Sequence, residues 1–374
     1  MGTCSSHMTL PSQSANRIRF DSFDTLRFLA ALAVLISHAE AMQPWPKMAF
    51  LFEGGLLHPK SAVAFFFALS GFVLHLSCRG VAPTWRTFGV FMMHRWFRIV
   101  PLYFISLLIA MVVLSCLPLA DCPLFVSDEA GAEVLVRDRR DFYQWIHHAL
   151  LITPGLDMQF LNPPIWTLTA EMRIALIFPW LSYLCSRLSL RGGILMLALA
   201  LPLAPWFAQK TFSTVALVPL FLIGALAAQH RERFTKMSSS KAWCILAAGI
   251  IIYSFSCSLR SGSFNSQVLH MQLAAFGSTM IMLSVLRLSV LRRILEHRWL
   301  VFSGRASYGV YILHFPLFMA LTYFSWRFHW PSWLLMFAGM IGVLLLASVL
   351  YRLVEQPMIR FGRDLGSRFF IPRL

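Results

Sequence analysis

A series of about ten apolar runs dominates this chain, each close to the ~20 residues an α-helix needs to cross ~30 Å of hydrocarbon. They fall at 24–43, 61–77, 99–117, 164–184, 193–208, 212–229, 242–257, 268–286, 306–324 and 333–353. Inside lipid every backbone polar group must be satisfied within the protein, so only helices and closed barrels span it, and runs of this length select helices. Composition agrees. Of the 374 residues, 58% are hydrophobic and 13% charged, where a soluble domain has roughly half and a quarter. The reading is an all-α integral membrane protein of about ten transmembrane helices. Pro202, Pro205 and Pro219 make the fifth and sixth runs the least regular, kinked or partly re-entrant.

The net charge of +16 would suit a nucleic-acid binder, but no nucleic-acid motif is present and the cations lie between apolar runs rather than on one face. With the N-terminus inside, 23 of the 32 Lys and Arg residues fall on cytoplasmic segments and eight outside, while Arg173 falls within a span. That asymmetry is the positive-inside pattern and predicts N-in and C-in. The chain divides into a cytoplasmic tail over 1–20, one transmembrane domain over 21–356 and a basic cytoplasmic tail over 357–374. The long outer segment, from Pro118 to about Asn162, offers a short interfacial helix over 143–151 with His147 and His148 at its edge.

Seven cysteines include no CxxC pair, and no Cys/His cluster has zinc spacing, so no metal is expected. Cys116 and Cys122 flank a helix end and could pair if they face an oxidising compartment, but free thiols are the favoured reading. No cleavable signal is expected from the polar first sixteen residues, and the myristoylation-like Met1-Gly2-Thr3-Cys4-Ser5-Ser6 is too short a pattern to weigh against ten helices.

Ionisable groups at membrane depth cost several kcal/mol unless paired or hydrated, so each is a functional candidate. Arg27 and His38 stand eleven residues apart, three turns plus about 20°, on one face and ~16 Å apart along the axis. Arg95 and Arg98 share a face at the start of the third run, where two guanidiniums and a helix N-terminus suit phosphate. Glu171 and Arg173 are two apart, point to opposite sides, and each needs a partner from another helix. Ser307, Tyr311 and His314 form a stripe at i, i+4, i+7, with Tyr308 beside it. In Phe65-Phe66-Phe67-Ala68-Leu69-Ser70-Gly71-Phe72, the small pair Ser70-Gly71 reads as helix packing.

The Arg27–His38 spacing, Arg95-x-x-Arg98, Phe66 to Phe72, Trp166-x-Leu-x-x-Glu171 and Gly304-x-x-Ser307-Tyr308-Gly309-x-Tyr311-x-x-His314 occur in the order of one family. Over about residues 20–360 the chain resembles the acyltransferase-3 family of bacterial inner-membrane O-acyltransferases. That resemblance implies transfer of an acyl group, usually acetyl from acetyl-CoA as donor substrate, to a hydroxyl of exopolysaccharide, lipopolysaccharide O-antigen or another lipid-linked or polymeric surface glycan. No bound cofactor is implied. Because the chain ends about twenty residues after the last run, the fused extracytoplasmic domain of some members is not expected. Arg27, Arg95 and Arg98 are the expected donor-phosphate ligands and His38 the general base, or the carrier of a covalent acyl group. Glu171, the second candidate catalytic residue, either orients the imidazole or holds an arginine. Ser307, Tyr308, Tyr311, His314 and Arg173 are the candidate acceptor-binding residues. A transporter or flippase for a lipid-linked sugar would suit ten helices and intramembrane charge equally, and a membrane scaffold would not need His38.

Overall fold

The computed structural model describes residues 20–42, 55, 57–79, 81–119, 122, 151, 162–207, 214–259 and 264–370. Among these there is no strand. The helices are α1 Asp21–Met42, α2 Pro59–Cys78, α3 Trp85–Cys116, α4 Ile165–Arg187, α5 Leu190–Phe207, α6 Thr214–Thr235, α7 Ser239–Phe255, α8 Phe264–Arg287, α9 Ser289–Leu295, α10 Arg298–Phe328, α11 Ser332–Leu350 and α12 Gln356–Phe370. A 3₁₀ turn, Ser256–Leu259, follows α7, and a π turn, Tyr351–Glu355, joins α11 to α12. Nine helices among the described residues are long and apolar enough to cross a membrane, and the fifth apolar run forms a shorter apolar helix, Leu190–Pro205. The interfacial helix expected over 143–151 lies outside the described residues, apart from Leu151.

Local chemistry sets the helix ends. At the start of α3, Thr84 Oγ1 accepts from the Thr87 amide at 3.3 Å and Thr87 Oγ1 accepts from the Thr84 amide at 2.9 Å, a reciprocal cap that satisfies two amides. His329 closes α10 in the left-handed region, with φ 54°. Outward faces carry exposed Leu108, Val112, Leu195, Leu199 and Leu345, a distribution that suits lipid rather than water.

Contacts fix the relative directions. α1 and α10 run parallel: Asp24 lies against Gly304, and His38 meets His314 further along both helices. α3 and α4 run antiparallel, since Trp85 touches Trp180 while Arg95 touches Glu171. Short α5 starts with Gly193 on Leu226, late in α6, and further on receives a 3.0 Å bond from Gln272 Nε2 to the Leu201 carbonyl, early in α8. It therefore runs along the same length of bundle as its longer neighbours. The segment read as a basic tail after residue 356 is helical: α12 sets Phe361 against Phe97, with ring centroids 5.2 Å apart, and Gly362 on the same side chain.

α2 and α6 meet backbone to backbone. A Cβ on Gly71 would collide with the Phe221 carbonyl, and one on Gly224 with the Ala68 carbonyl. Lipid supplies little hydrophobic drive between helices, so close approach of this kind carries their association. Gly224→Ala should therefore cost about 1–3 kcal/mol by overpacking. Thermal unfolding in detergent checks this, with Gly342→Ala as the control, because nothing lies within 4 Å of a Cβ at Gly342.

Candidate active site

The first half of α3, the first two turns of α4, the Phe66–Ser77 stretch of α2 and the first half of α10 enclose a cavity of about 210 Å³, with Arg95 and Arg98 more than two turns inside α3 rather than at a helix start as the third apolar run suggested. Arg27, Arg95, Arg98 and Arg363 bring positive charge to it; Ser70, His94, Thr167, Glu171, Ser307, Tyr308 and Tyr311 add polar groups among Phe66, Phe67, Leu74, Phe91 and Leu168. Seven of the ten candidate residues read from sequence line this one space.

Hydrogen bonds and ion pairs explain the positions of six of these seven. Glu171 accepts from Arg95 at 2.5 Å and from Ser70 Oγ at 2.6 Å, so the carboxylate holds an arginine. Ser70, read as packing, belongs to the site, while Gly71 does the packing. Arg27 donates to Asp24 at 2.8 Å, one turn earlier on α1. Tyr308 donates to the Ile99 carbonyl at 2.8 Å, tying α10 to α3. Thr167 Oγ1 and the Tyr311 hydroxyl lie 3.0 Å apart, with the Pro164 carbonyl accepting from both. Ser307 is spent on its own helix, donating to the Gly304 carbonyl at 2.7 Å.

His38 and His314 form a separate unit. Their rings are stacked with centroids 5.1 Å apart, and His38 Nδ1 lies 2.8 Å from His314 Nε2. His314 Nδ1 is 3.2 Å from the Val310 carbonyl. A carbonyl only accepts, so His314 carries its proton on Nδ1 and offers the lone pair of Nε2. His38 then donates from Nδ1, which leaves the lone pair of its own Nε2 outside the pair. His314 is fully buried and His38 is half-buried. Neither lines the cavity. Tyr311 stands between: its ring meets Phe66 at 5.3 Å on the cavity side and His314 at 6.1 Å on the other.

Arg173 stands apart from the site. It points to the far side of α4 from Glu171, donates to Thr214 Oγ1 at 3.4 Å and does not line the cavity. Two helical residues turn through about 200°, so one helix cannot bring both into one pocket.

Sequence reasoning missed His94, Arg363 and Glu355. The first two line the cavity mouth. Glu355 is buried in the π turn and interacts electrostatically with Arg98 and Arg27. Its signal was a lone acidic residue ending an apolar run, and π turns often sit at functional sites. His75 was missed as well. Buried, it bonds Gln229 Oε1 at 3.1 Å and Ser182 Oγ at 2.9 Å, and so joins α2, α6 and α4 beside the cavity.

The acyltransferase-domain family model, Acyl_transf_3, matches residues 20–352. Nodulation protein 10 of Rhizobium leguminosarum bv. viciae is 25% identical over 96% of this chain and 98% of its own length. Acyltransferase MdmB of Streptomyces mycarofaciens is 31% identical over 43% of this chain and 39% of its own. No solved structure matches. With the family model covering residues 20–352, nearly the whole helical bundle, the chain belongs to the acyltransferase-3 family of membrane acyltransferases.

Proposed function

We propose that this protein moves an acyl group, acetyl in the first instance, from an acyl-CoA to a hydroxyl of a surface glycan across a ten-helix bundle with both termini in the cytoplasm. The orientation rests on the basic residues at the ends of α1, α4, α6 and α8 and around α9 and α12, which collect at one end of the bundle. The parallel course of α1 and α10 calls for an odd number of crossings between them; α2, α3, α4, α6, α7 and α8 make six among the described helices, which favours counting α5 as the seventh. A bacterial inner membrane fits the family.

One observation carries the catalytic reading: an arginine-lined cavity approaches an imidazole whose outer nitrogen keeps its lone pair. Arg27, Arg95, Arg98 and Arg363 would take the donor's phosphates at the basic end, with the acyl thioester pointing inward. His38 Nε2 would remove the acceptor hydroxyl proton as its oxygen attacks the thioester carbon. The C–S bond then breaks, and the proton passes from the imidazolium to the departing thiolate, giving free CoA and the acyl ester. Phe66 and Tyr311 both line the cavity with ring centroids 5.3 Å apart, and in this reading the donor reaches His38 past that contact. Glu171 acts here as a positioning residue through Arg95.

The decisive test compares the mass of the surface glycan in a deletion strain with that of the parent. Loss of one acyl mass per repeat supports the enzyme; loss of the whole polymer overturns it in favour of a flippase. For the donor, Arg98→Gln should weaken acyl-CoA binding about 10- to 100-fold, the worth of a charge-assisted hydrogen bond. Isothermal titration checks this, and unchanged binding would remove the phosphate role.

A further inference from the structure

We propose that His58, Cys257 and His270 form a binding site for one thiophilic d¹⁰ metal ion, zinc(II) or copper(I), at the end of the bundle away from the arginines. The proposal does not depend on the acyl-transfer reading. The three ligand atoms lie within 4.8 Å of one another and all three residues are buried. They come from three elements distant in sequence: the N-cap of α2, the 3₁₀ turn after α7, and the first half of α8. Spacing along the chain could not reveal such a set, which is why the cysteines looked unconnected to any histidine.

The surroundings are built to bring these atoms together. Gly55, with φ 126°, starts the turn that delivers His58, and its carbonyl accepts from the His58 amide at 3.4 Å. A Cβ at Gly55 would run into the Ser254 backbone, three residues before Cys257, so the turn presses directly on the strand of chain that carries the thiol. Across the site the His58 and His270 rings are 4.7 Å apart. Ser61 Oγ lies 2.9 Å from His270 Nε2 and 3.8 Å from Cys257 Sγ. Metal-binding imidazoles usually give their second N–H to such an acceptor, which fixes the ring and aims the other nitrogen at the ion. Ser61 Oγ therefore accepts a hydrogen bond from the His270 Nε2–H, and His270 presents Nδ1.

Two imidazoles and one thiolate are borderline-to-soft ligands, which select zinc or copper(I) over calcium or magnesium. Tetrahedral zinc with bonds of about 2.0–2.3 Å places its ligands roughly 3.5 Å apart, so the atoms close by about an ångström when the ion enters. Binding exchanges the Cys257 thiol proton for the ion. With one thiolate, copper(I) leaves a neutral buried centre, whereas zinc(II) leaves one positive charge and favours a bound hydroxide as fourth ligand. The ion would pin α2, α7 and α8 at one end. Ser70 and Phe66, further along α2, belong to the cavity, so occupancy would stiffen a wall of the site from outside it.

The test uses the full-length protein, tag-free in detergent, loaded separately with zinc(II) and with copper(I) kept reduced, then dialysed and assayed for metal by mass spectrometry. One ion per chain, from one of the two metals, with a raised Tm for the loaded protein, is expected. Both effects should vanish in Cys257→Ser and His270→Gln. Should those variants fail to fold, cobalt(II) added to the wild-type protein should give a thiolate charge-transfer band and a tetrahedral d–d band. Wild-type metal content no higher than in the variants, or no thiolate band with cobalt, overturns the site.

Discussion

His38→Ala is expected to lower acyl transfer by about 10²–10⁴-fold, the usual worth of a positioned general base, while the protein still inserts and loses about 1–3 kcal/mol of stability through the unsatisfied His314 Nε2. The loss should be confined to turnover, since His38 does not line the cavity assigned to the donor. His314 distinguishes positioning from chemistry. His314→Gln keeps an acceptor for the Nδ1–H of His38 and should retain more activity than His314→Leu, which removes the acceptor and leaves the His38 tautomer unspecified. A radiolabelled acyl-CoA assay on proteoliposomes reads both series. Wild-type rates in correctly inserted His38→Ala would move the base elsewhere, and equal rates in the two His314 variants would remove its orienting role.

Much of this arrangement was legible because membrane helices are governed by few forces. Apolar length gave the helices, and an 11-residue interval gave Arg27 and His38 a common face. The rule that buried charge needs a partner anticipated that Glu171 and Arg173 would look to other helices; Glu171 found Arg95 and Ser70, and Arg173 found Thr214. What stayed hidden depends on which helix lies beside which. The His38–His314 pair requires α1 and α10 to be parallel neighbours in one register, which no local pattern states. Two neutral imidazoles sharing one proton bridge satisfy a polar group that each helix alone would leave stranded. Tyr311 was read with the polar stripe, yet its position as a wall between cavity and imidazoles follows from the Phe66 and Thr167 contacts across three helices. The His58, Cys257 and His270 cluster was invisible for the same reason.

The largest expected effect on stability belongs to Arg95 and Glu171, whose side chains are 8% and 19% exposed and in direct contact. Removing one member strands the other charge in a poorly hydrated setting, and Arg95→Met or Glu171→Leu should each cost about 3–5 kcal/mol. Ser70, which donates to the same carboxylate oxygen, cannot replace a full positive charge. Arg95→Met combined with Glu171→Leu removes both charges and leaves only packing and one unpaired hydroxyl to repair. It should therefore cost far less than the two single losses added together, a coupling of the kind double-mutant cycles measure between touching residues. Unfolding midpoints of the four proteins in detergent give the cycle. Donor binding should stay weak in the double variant even where stability returns, because the Arg95 guanidinium is gone. Additive stability losses would mean that the two side chains are hydrated independently and that the carboxylate does not hold the guanidinium in the cavity wall.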